Sequence, residues 1–593
     1  MPTINKKMLF EQAQAHVSGV VEKIQASFIT TKESVKKIKT RLRNSSGGDR
    51  IMEAEVLKYS EQRVGELEQL QSSPYFVGCE IEFAGKAREE IFFSKFSYSE
   101  EQIYSWTTPA SLIRYEQPGD VSYVLPDGTM RHGKMLRKNQ FMIVDGKIIF
   151  MASEAIGSSR QLIYQEHLMQ RKNSFVLPEI VEQMEKKQDE VIRADYHGSY
   201  LISGPAGSGK TTLALHRVAY LVQSPDTAEH FPGTNIIVFV HDNSTKEYFS
   251  NLLPQLGINN VTITIFSDWA REILGLMNYQ YVYRFGESES EKDQYEYLKN
   301  KALKEMTGGI ASPEALTRVY VSYFKDDLLD MFKKQLAQKV LDRFDLTILL
   351  KSFIVLHGGL KRQETYVAVD KNGREKIKRG LLPVEYSLIV IDEAENYLSE
   401  QIALIKNCAN KNQAVLYVGD LAQQTKLCTL KDWQEVGEDF VGNRKVELFK
   451  VYRNTKEILE YVRTQGYDVT IPAEIKSGKT VIEKVINSEL DETKYIHDII
   501  SSNDGMIIGL IHRDLNYLKP YKEKYKDNNK VHILSIDEAQ GVEFDVVIFL
   551  NYEHTLDFAD CDAELINEKK RVQRDLNYVA MTRAMSELHI FKN

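Results

Sequence analysis

Cysteine is scarce in this chain: four residues in 593 (Cys79, Cys408, Cys428 and Cys561), none in a CxxC pair. Such scatter argues against a zinc site and a disulfide framework, and it fits a reducing compartment. No run approaches the roughly 18 apolar residues that a bilayer-spanning helix needs. The opening MPTINKKMLFEQAQ also lacks the apolar core of an export signal. A cytoplasmic protein with no membrane partner is therefore expected. Excess positive charge is missing too: 76 basic residues against 84 acidic give a net charge of −8. Any groove for nucleic acid must then be local, because the whole surface is no polycation. No internal repeat or low-complexity tract is evident. What remains, 42% apolar and 27% charged residues, is the composition of a globular protein. The length is too great for one core and suggests three to five domains.

The most informative segment is GPAGSGKT: Gly204, Pro205, Ala206, Gly207, Ser208, Gly209, Lys210 and Thr211. It lies between a strand-like run, Tyr200-Leu201-Ile202, and a helix-like run that begins at Thr212. Glycines let the chain turn tightly, so that backbone N–H groups and the following helix N-terminus face phosphate. Lys210 would neutralise charge on the outer phosphates, and the Thr211 hydroxyl would ligate Mg²⁺. A second, acidic element is required to hold the metal and orient a water. Ser387-Leu-Ile-Val-Ile-Asp392-Glu393 supplies it: Asp392 for the Mg²⁺ shell, Glu393 to polarise the water.

Around these motifs the pattern changes several times. Val17, Val21, Ile24, Phe28, Thr31, Val35, Ile38 and Leu42 recur at alternating four and three spacing, the seam of a coiled coil. Asn44 to Arg50 (NSSGGDR) then reverses the chain into a second helical segment near Ile51 to Gln71, with Leu57, Val64 and Leu67 on its apolar side. The turn end is basic (Lys36, Lys37, Lys39, Arg41, Arg43, Arg50), which suits a helix C-terminus or an acidic partner. From Pro74 to about Ala155, short alternating runs with turn signals such as Val124-Leu-Pro-Asp127-Gly128 predict a small β-rich module. Between Trp269 and Leu382 the pattern is mostly helical, and after Tyr386 strands and helices alternate as in doubly wound parallel sheets.

Taken in order from residue 188 to residue 584, the motifs resemble the UvrD/Rep-like superfamily 1A helicases. The resemblance implies ATP as the nucleotide, Mg²⁺ as its metal and two RecA-like lobes. It makes Gln188 the reader of the adenine edge, and Arg217 and Tyr452 the pair that sandwiches the base. Gly419-Asp420-Leu-Ala-Gln423 is similar to the third motif, whose glutamine senses the γ-phosphate. Tyr452-Arg453-Asn454-Thr455 is similar to the fourth and Tyr578-Val-Ala-Met-Thr-Arg583-Ala584 to the sixth, so Arg453 and Arg583 would stabilise charge on the transferred phosphoryl group. Ala539-Gln540-Gly541-Val-Glu543-Phe544 is similar to the fifth, placing Gly541 and Glu543 near the nucleotide.

The N-terminal third resembles the HelD branch, also called helicase IV-like, through Pro74-Tyr-Phe-Val-Gly-Cys-Glu-Ile-Glu-Phe83, Tyr104-Ser-Trp-Thr-Thr-Pro-Ala110 and Gln140-Phe-Met-Ile-Val-Asp-Gly-Lys147. That branch implies an arm entering a channel of RNA polymerase while the motor removes the polymerase from nucleic acid. Several residues depart from the family pattern. Ser105 and Thr107 stand where Asp and Arg are usual, and Glu395 replaces the glutamine of Asp-Glu-Ala-Gln. After Gln423 the chain reads QTKLCTLKDW, without the run on which UvrD-type motors stack single-stranded DNA. The expected layout is an arm over 1–73, a β-rich module with helical linker over 74–172, a first RecA-like lobe over 173–270 and 383–443, a helical insertion over 271–382, and a second lobe over 444–593. The expected partners are RNA polymerase core, through 1–73, and DNA or RNA. A 3′-5′ DNA helicase of repair or recombination and a nucleotide-switched binding protein are the other readings.

Overall fold

The computed structural model describes residues 6–45, 48–83, 88–124, 129–156, 186–205, 208–256, 258, 260–369, 375–448, 454–467, 469, 471, 475–503, 505–536, 538–539, 542–553, 556–559 and 561–592. Residues 125–128 of the expected turn at Val124–Gly128, and residues 157–172 of the expected module with its helical linker, lie outside them. The chain divides into two compact units: one of residues 1–194, 215–233 and 250–260, the other of residues 195–214, 234–249 and 261–593.

The first unit begins with α1 (Lys6–Asn44) and α2 (Gly48–Ser72). Ion pairs Lys39–Glu61 at 2.7 Å and Arg41–Glu53 at 3.4 Å join them as an antiparallel hairpin. The buried stripe is Val17, Val20, Ile24, Val35 and Ile38, so Val20 takes the covered position expected of Val21. Next comes a sheet of β1 (Val77–Glu82), β2 (Glu89–Ser94), β3 (Ile103–Ser105), β4 (Gly119–Val124), β5 (Met130–Val144) and β6 (Lys147–Ala155). Its order is β3-β2-β1-β5-β4, with β6 also on β5. The base of the hairpin and the sheet share one core: Val17, Val20, Ile24, Leu67 and Leu70 pack with Tyr75, Phe92, Phe141 and Ile148. Polar contacts fix the same junction, with Gln14 Nε2 donating to Gly146 O at 3.1 Å and Lys23 paired with Glu101 at 2.6 Å.

The unit also contains α3 (Lys186–Ile192), whose Asp189 is fully buried. Asp189 lies between two guanidinium groups, Arg193 at 2.7 Å and Arg114 at 3.3 Å. Arg193 continues to the carbonyls of Trp106 and Thr107. A buried carboxylate is tolerated when it is paired and hydrogen-bonded in this way.

The second unit carries two parallel sheets. In the first, β7 (Ser199–Ser203) leads through the glycine-rich loop into α4 (Lys210–Gln223), whose residues from Leu215 onward count with the first unit. Then follow β8 (Ile236–Val240), α5 (Asn243–Gln255), β9 (Thr262–Ile265) and α6 (Phe266–Leu274), with β14 (Leu388–Ile391), α11 (Ser399–Lys406), β15 (Val415–Val418) and β16 (Lys445–Glu447) supplied from further along the chain. The order is β16-β7-β15-β14-β8-β9, every pair parallel. Burial of β8, β14 and β15 at every residue explains their continuous apolar runs. One expected boundary moves: β16 pairs with β7, so the first sheet runs through Glu447, beyond residue 443.

Between β9 and β14 lie β10 (Gln280–Tyr281), α7 (Glu289–Glu305), α8 (Leu316–Tyr320), α9 (Asp326–Ala337), β11 (Val340–Leu341), α10 (Arg343–His357) and a hairpin of β12 (Lys361–Val369) and β13 (Glu375–Pro383). The second sheet follows α12 (Lys456–Thr464) and consists of β17 (Ile482–Val485), β18 (Ile508–His512), β19 (Val531–Ser535), β20 (Phe544–Phe549) and β21 (Ala584–Lys592) in the order β17-β21-β20-β18-β19, again all parallel. Its helices are α13 (Glu489–Ser502), α14 (Leu515–Lys524) and α15 (Ala563–Thr582). Among the described residues no helix is long and apolar enough to cross a membrane.

Candidate nucleotide site

In an open parallel sheet, ligands bind beyond the carboxyl ends of the strands. At that edge β7 delivers Gly204, β14 delivers Asp392 and β15 delivers Gly419. Gly204 has φ +144°, and a Cβ there would collide with the Leu448 carbonyl, so only glycine fits. The Lys210 ammonium folds back on its own loop, donating to Gly204 O at 2.7 Å and Pro205 O at 3.2 Å. Ser208 is buried, and its hydroxyl has no hydrogen-bond partner. Gly209 has φ +85°, and Thr212 is half-buried in the first turn of α4. Ala206 and Gly207 lie outside the described residues.

The acidic pair sits beside this loop. Thr211 Oγ1 donates to Asp392 Oδ1 at 3.0 Å and Oδ2 at 3.3 Å. A hydroxyl and a carboxylate in contact, with no sulfur or imidazole, form a donor set suited to a hard divalent cation such as Mg²⁺. Burial, reinforced by Glu393, pushes the Asp392 carboxyl up to about 7, against the pull of Thr211 and Lys210. Glu393 occupies the left-handed region at φ +49°, which turns its side chain off the strand. Its Oε2 is buried without a partner. Burial and the Asp242 carboxylate push Glu393 to about 7, while Arg583 and Lys210 act to lower it. A carboxylate poised near neutrality with a free oxygen is suited to accept a proton from water.

Gln423 also reaches the loop: its amide donates to Gly204 O at 3.1 Å and to Asp420 Oδ2 at 2.7 Å. The Gly204 carbonyl thus receives both Lys210 and Gln423. Glu395 lies 3% exposed under Gly419, where a Cβ would strike its Oε2, and burial holds its carboxyl well above the usual range. Arg583 caps α15 in the second sheet; it is buried, and its Nε donates to Val579 O at 3.1 Å. Asn454 Nδ2 clamps the same corner through Thr582 O at 3.0 Å and Ala584 O at 2.6 Å. Glu543 is half-buried just before β20. Tyr452, Arg453 and Gly541 lie outside the described residues.

Gln188 and Arg217 belong to the first unit. Gln188 is half-buried on α3. For Arg217 the expectation of a base-stacking face needs correction. It is 2% exposed, and Nη1 donates to the carbonyls of Val191 at 2.7 Å, Ile192 at 3.2 Å and Ala194 at 3.0 Å. Its guanidinium is thus engaged by backbone carbonyls in the last turn of α3 and just beyond it, in the manner of a structural cap. Sequence reasoning missed Asp242, which follows β8 and bears on Glu393. The signal was present: Ile236-Ile-Val-Phe-Val-His241-Asp242 is an apolar run ending in a carboxylate, like the run that ends at Asp392.

A phosphate loop, an acidic pair on the next strand but one and an arginine from a second parallel sheet define a P-loop nucleotide-binding protein with two lobes of the RecA-like kind. Residues 184–425 match the family described as UvrD/REP helicase N-terminal domain, and residues 365–592 match the viral superfamily 1 RNA helicase core domain. Over these stretches the chain is similar to superfamily 1 helicase domains, of the UvrD/Rep kind in the first. It is 23% identical over 358 residues to the ATP-dependent DNA helicase Rep of Buchnera aphidicola, covering 56% of this chain and 51% of that protein. Over 295 residues it is 23% identical to the ATP-dependent DNA helicase PcrA of Staphylococcus epidermidis, covering 47% and 39%. The chain thus spans about half or less of the length of these relatives. A solved C-terminal domain of a possible DNA helicase from Lactobacillus plantarum aligns at 20% identity, covering 24% of this chain and 88% of that one with a TM-score of 0.18.

Proposed function

We propose that this protein is an ATP-hydrolysing superfamily 1A motor of HelD type, which remodels RNA polymerase or releases it from nucleic acid. Hydrolysis is supported above all by the convergence of Lys210 and Gln423 on one loop carbonyl beside the Thr211–Asp392 pair. In this mechanism the loop amides and Lys210 hold the phosphates. Thr211 and Asp392 would hold Mg²⁺, which would offset the charge of the phosphate oxygens. Glu393 takes the proton of the attacking water, Gln423 registers the outer phosphate, and Arg583 with Arg453 meets the developing charge. Gln188, with Tyr452 on the base, would set nucleotide preference.

The polymerase load is supported by two features. Residues 424 to 430, where a UvrD-type motor would present a stacking platform, are buried one after another. The helical hairpin over 1–73, by contrast, leaves Met52, Val56 and Tyr59 exposed on one side of α2 near a basic tip. The DNA-helicase reading, 3′-5′ translocation on a strand, is favoured by the Rep and PcrA likenesses.

Steady-state ATPase separates the two readings, with Glu393→Gln as the blank and single-stranded DNA or core RNA polymerase as the added load. Polymerase binding that is lost on deleting residues 1–73, with little response to DNA, is the expected result. Strong stimulation by DNA with strand displacement would replace it by the DNA-helicase reading.

A further inference from the structure

The segment after Gln423 is gripped from two directions. On one side it is tied to the acidic-motif region: Thr425 N and Oγ1 each donate to Asn396 Oδ1 at 3.2 Å, and Leu430 N donates to Tyr397 O at 3.0 Å. On the other side α15 clasps it. Arg571 Nη1 donates to Gln424 Oε1, and Nη2 donates to Lys426 O at 3.2 Å. Glu568 Oε1 accepts from Cys428 N at 2.9 Å and from Arg571 Nη2 at 2.8 Å, so the two side chains brace one another.

The same helix is fixed at both ends. Its N-cap Asp562 accepts from Tyr297 Oη at 2.8 Å and Lys301 Nζ at 3.0 Å, and Lys569 pairs with Asp293 of α7 at 3.1 Å. Its C-cap is Arg583. From Arg571 to Arg583 a continuous helix rises about 18 Å at 1.5 Å per residue and transmits displacement as a rigid element.

We propose that Arg571 is a positioning residue for ATP hydrolysis: with Glu568 it fastens the loop behind Gln423 to α15, so that Gln423 at the phosphate loop and Arg583 at the far end move together. Arg571 need not touch nucleotide. The inference rests on the hydrolysis reading. It adds that communication between the two sheets runs through a half-buried polar clasp, at the place where the loop exposes no stacking side chain. A guanidinium suits the task because its fixed fork serves Gln424, Lys426 and Glu568 at once, whereas a lysine serves them one at a time.

The test is steady-state ATPase of the full chain, with kcat and KM for ATP determined separately, alongside thermal melting. Arg571→Ala is expected to lower kcat by about tenfold or more while KM stays within about twofold and the melting temperature holds. Arg571→Lys should recover only part of the loss. Gln424→Ala should lower kcat in the same sense, and adding it to Arg571→Ala should change little further, because both remove one connection. If Arg571→Ala fails to fold, Gln424→Ala decides, since it removes only the acceptor. A wild-type kcat in the deciding variant overturns the inference, as does a fall matched by an equal rise in KM. Turnover missing from the wild type, with ATP and Mg²⁺ present, would instead overturn the hydrolysis reading and the inference with it.

Discussion

Lowering the pH should silence the proposed ATP hydrolysis, because both carboxyls of the acidic pair are held near 7 by burial. In kcat/KM, which reports groups of the free enzyme, the acid limb should bend near pH 7 and fall about tenfold per unit if only Glu393 must ionise. If Asp392 must ionise too, the pair titrates together and the limb steepens toward about a hundredfold per unit. Saturating Mg²⁺, which favours ionised Asp392, should return the slope to about tenfold. The charge on Asp242 is the informative perturbation. It raises the Glu393 pKa, so Asp242→Asn should move the acid limb to lower pH. Asp242 also accepts from Thr245 N at 2.7 Å at the start of α5, and asparagine keeps that acceptor, so the fold is spared. The assay is ATPase from pH 5.5 to 8.5 at saturating and limiting Mg²⁺. A flat profile down to pH 5.5, or an unmoved limb in Asp242→Asn, would refute the argument.

Other perturbations follow from single contacts. Lys210→Ala should abolish turnover, and Arg583→Ala should cut kcat by roughly 10²–10³ with nucleotide binding retained, as for groups that act on developing charge; fluorescent-nucleotide titration beside ATPase separates the two. Gly419→Ala forces a Cβ onto the Glu395 carboxyl and should destabilise by about 1–3 kcal/mol in denaturant melts, with much of the loss recovered in Gly419→Ala/Glu395→Ala. His216 is fully buried against Trp106 with neither ring nitrogen bonded, and burial lowers it to about 3. Its stabilising effect is complete above the unfolded value of about 6.5 and is lost as pH falls toward 3, roughly 2 kcal/mol by pH 5. His216→Leu should therefore flatten the pH dependence of melting between 7.5 and 5, and an unchanged slope would refute that.

Much of the site was legible because each motif couples an apolar strand to the residue that leaves its carboxyl end. The runs before Gly204 and Asp392 are buried strands of one parallel sheet, and Gln423 reaches the loop as its motif implies. Asp242 was equally legible as an apolar strand ending in a carboxylate but belongs to none of the family motifs. Arg217 was assigned by resemblance, and motif order does not reveal what occupies the space beside a side chain; three carbonyls at and just beyond the end of α3 do. The slip from Val21 to Val20 has a related cause: helix turns of 3.6 residues drift against a strict heptad, and the sheet under α1 selects the residue that faces it. The clasp on α15 could not be read at all, since Glu568 and Arg571 find Cys428 and Gln424 across some 140 residues of chain.

Among the described residues the helical hairpin is held to the β-module toward its base, α1 through residues such as Gln14, Lys23, Ser27 and Phe28, and α2 as far as Arg63, whose Nη1 donates to Ser97 O at 3.1 Å. The 16 residues of α1 beyond Phe28 therefore form a cantilever of about 24 Å, whose length is set by helical rise alone. A load bound at its end acts on the module with that lever arm. Removing one heptad from each helix would shorten it by about 10 Å without rotating its tip appreciably. Reach thus becomes a quantity that can be dialled in whole turns, leaving the nucleotide machinery untouched.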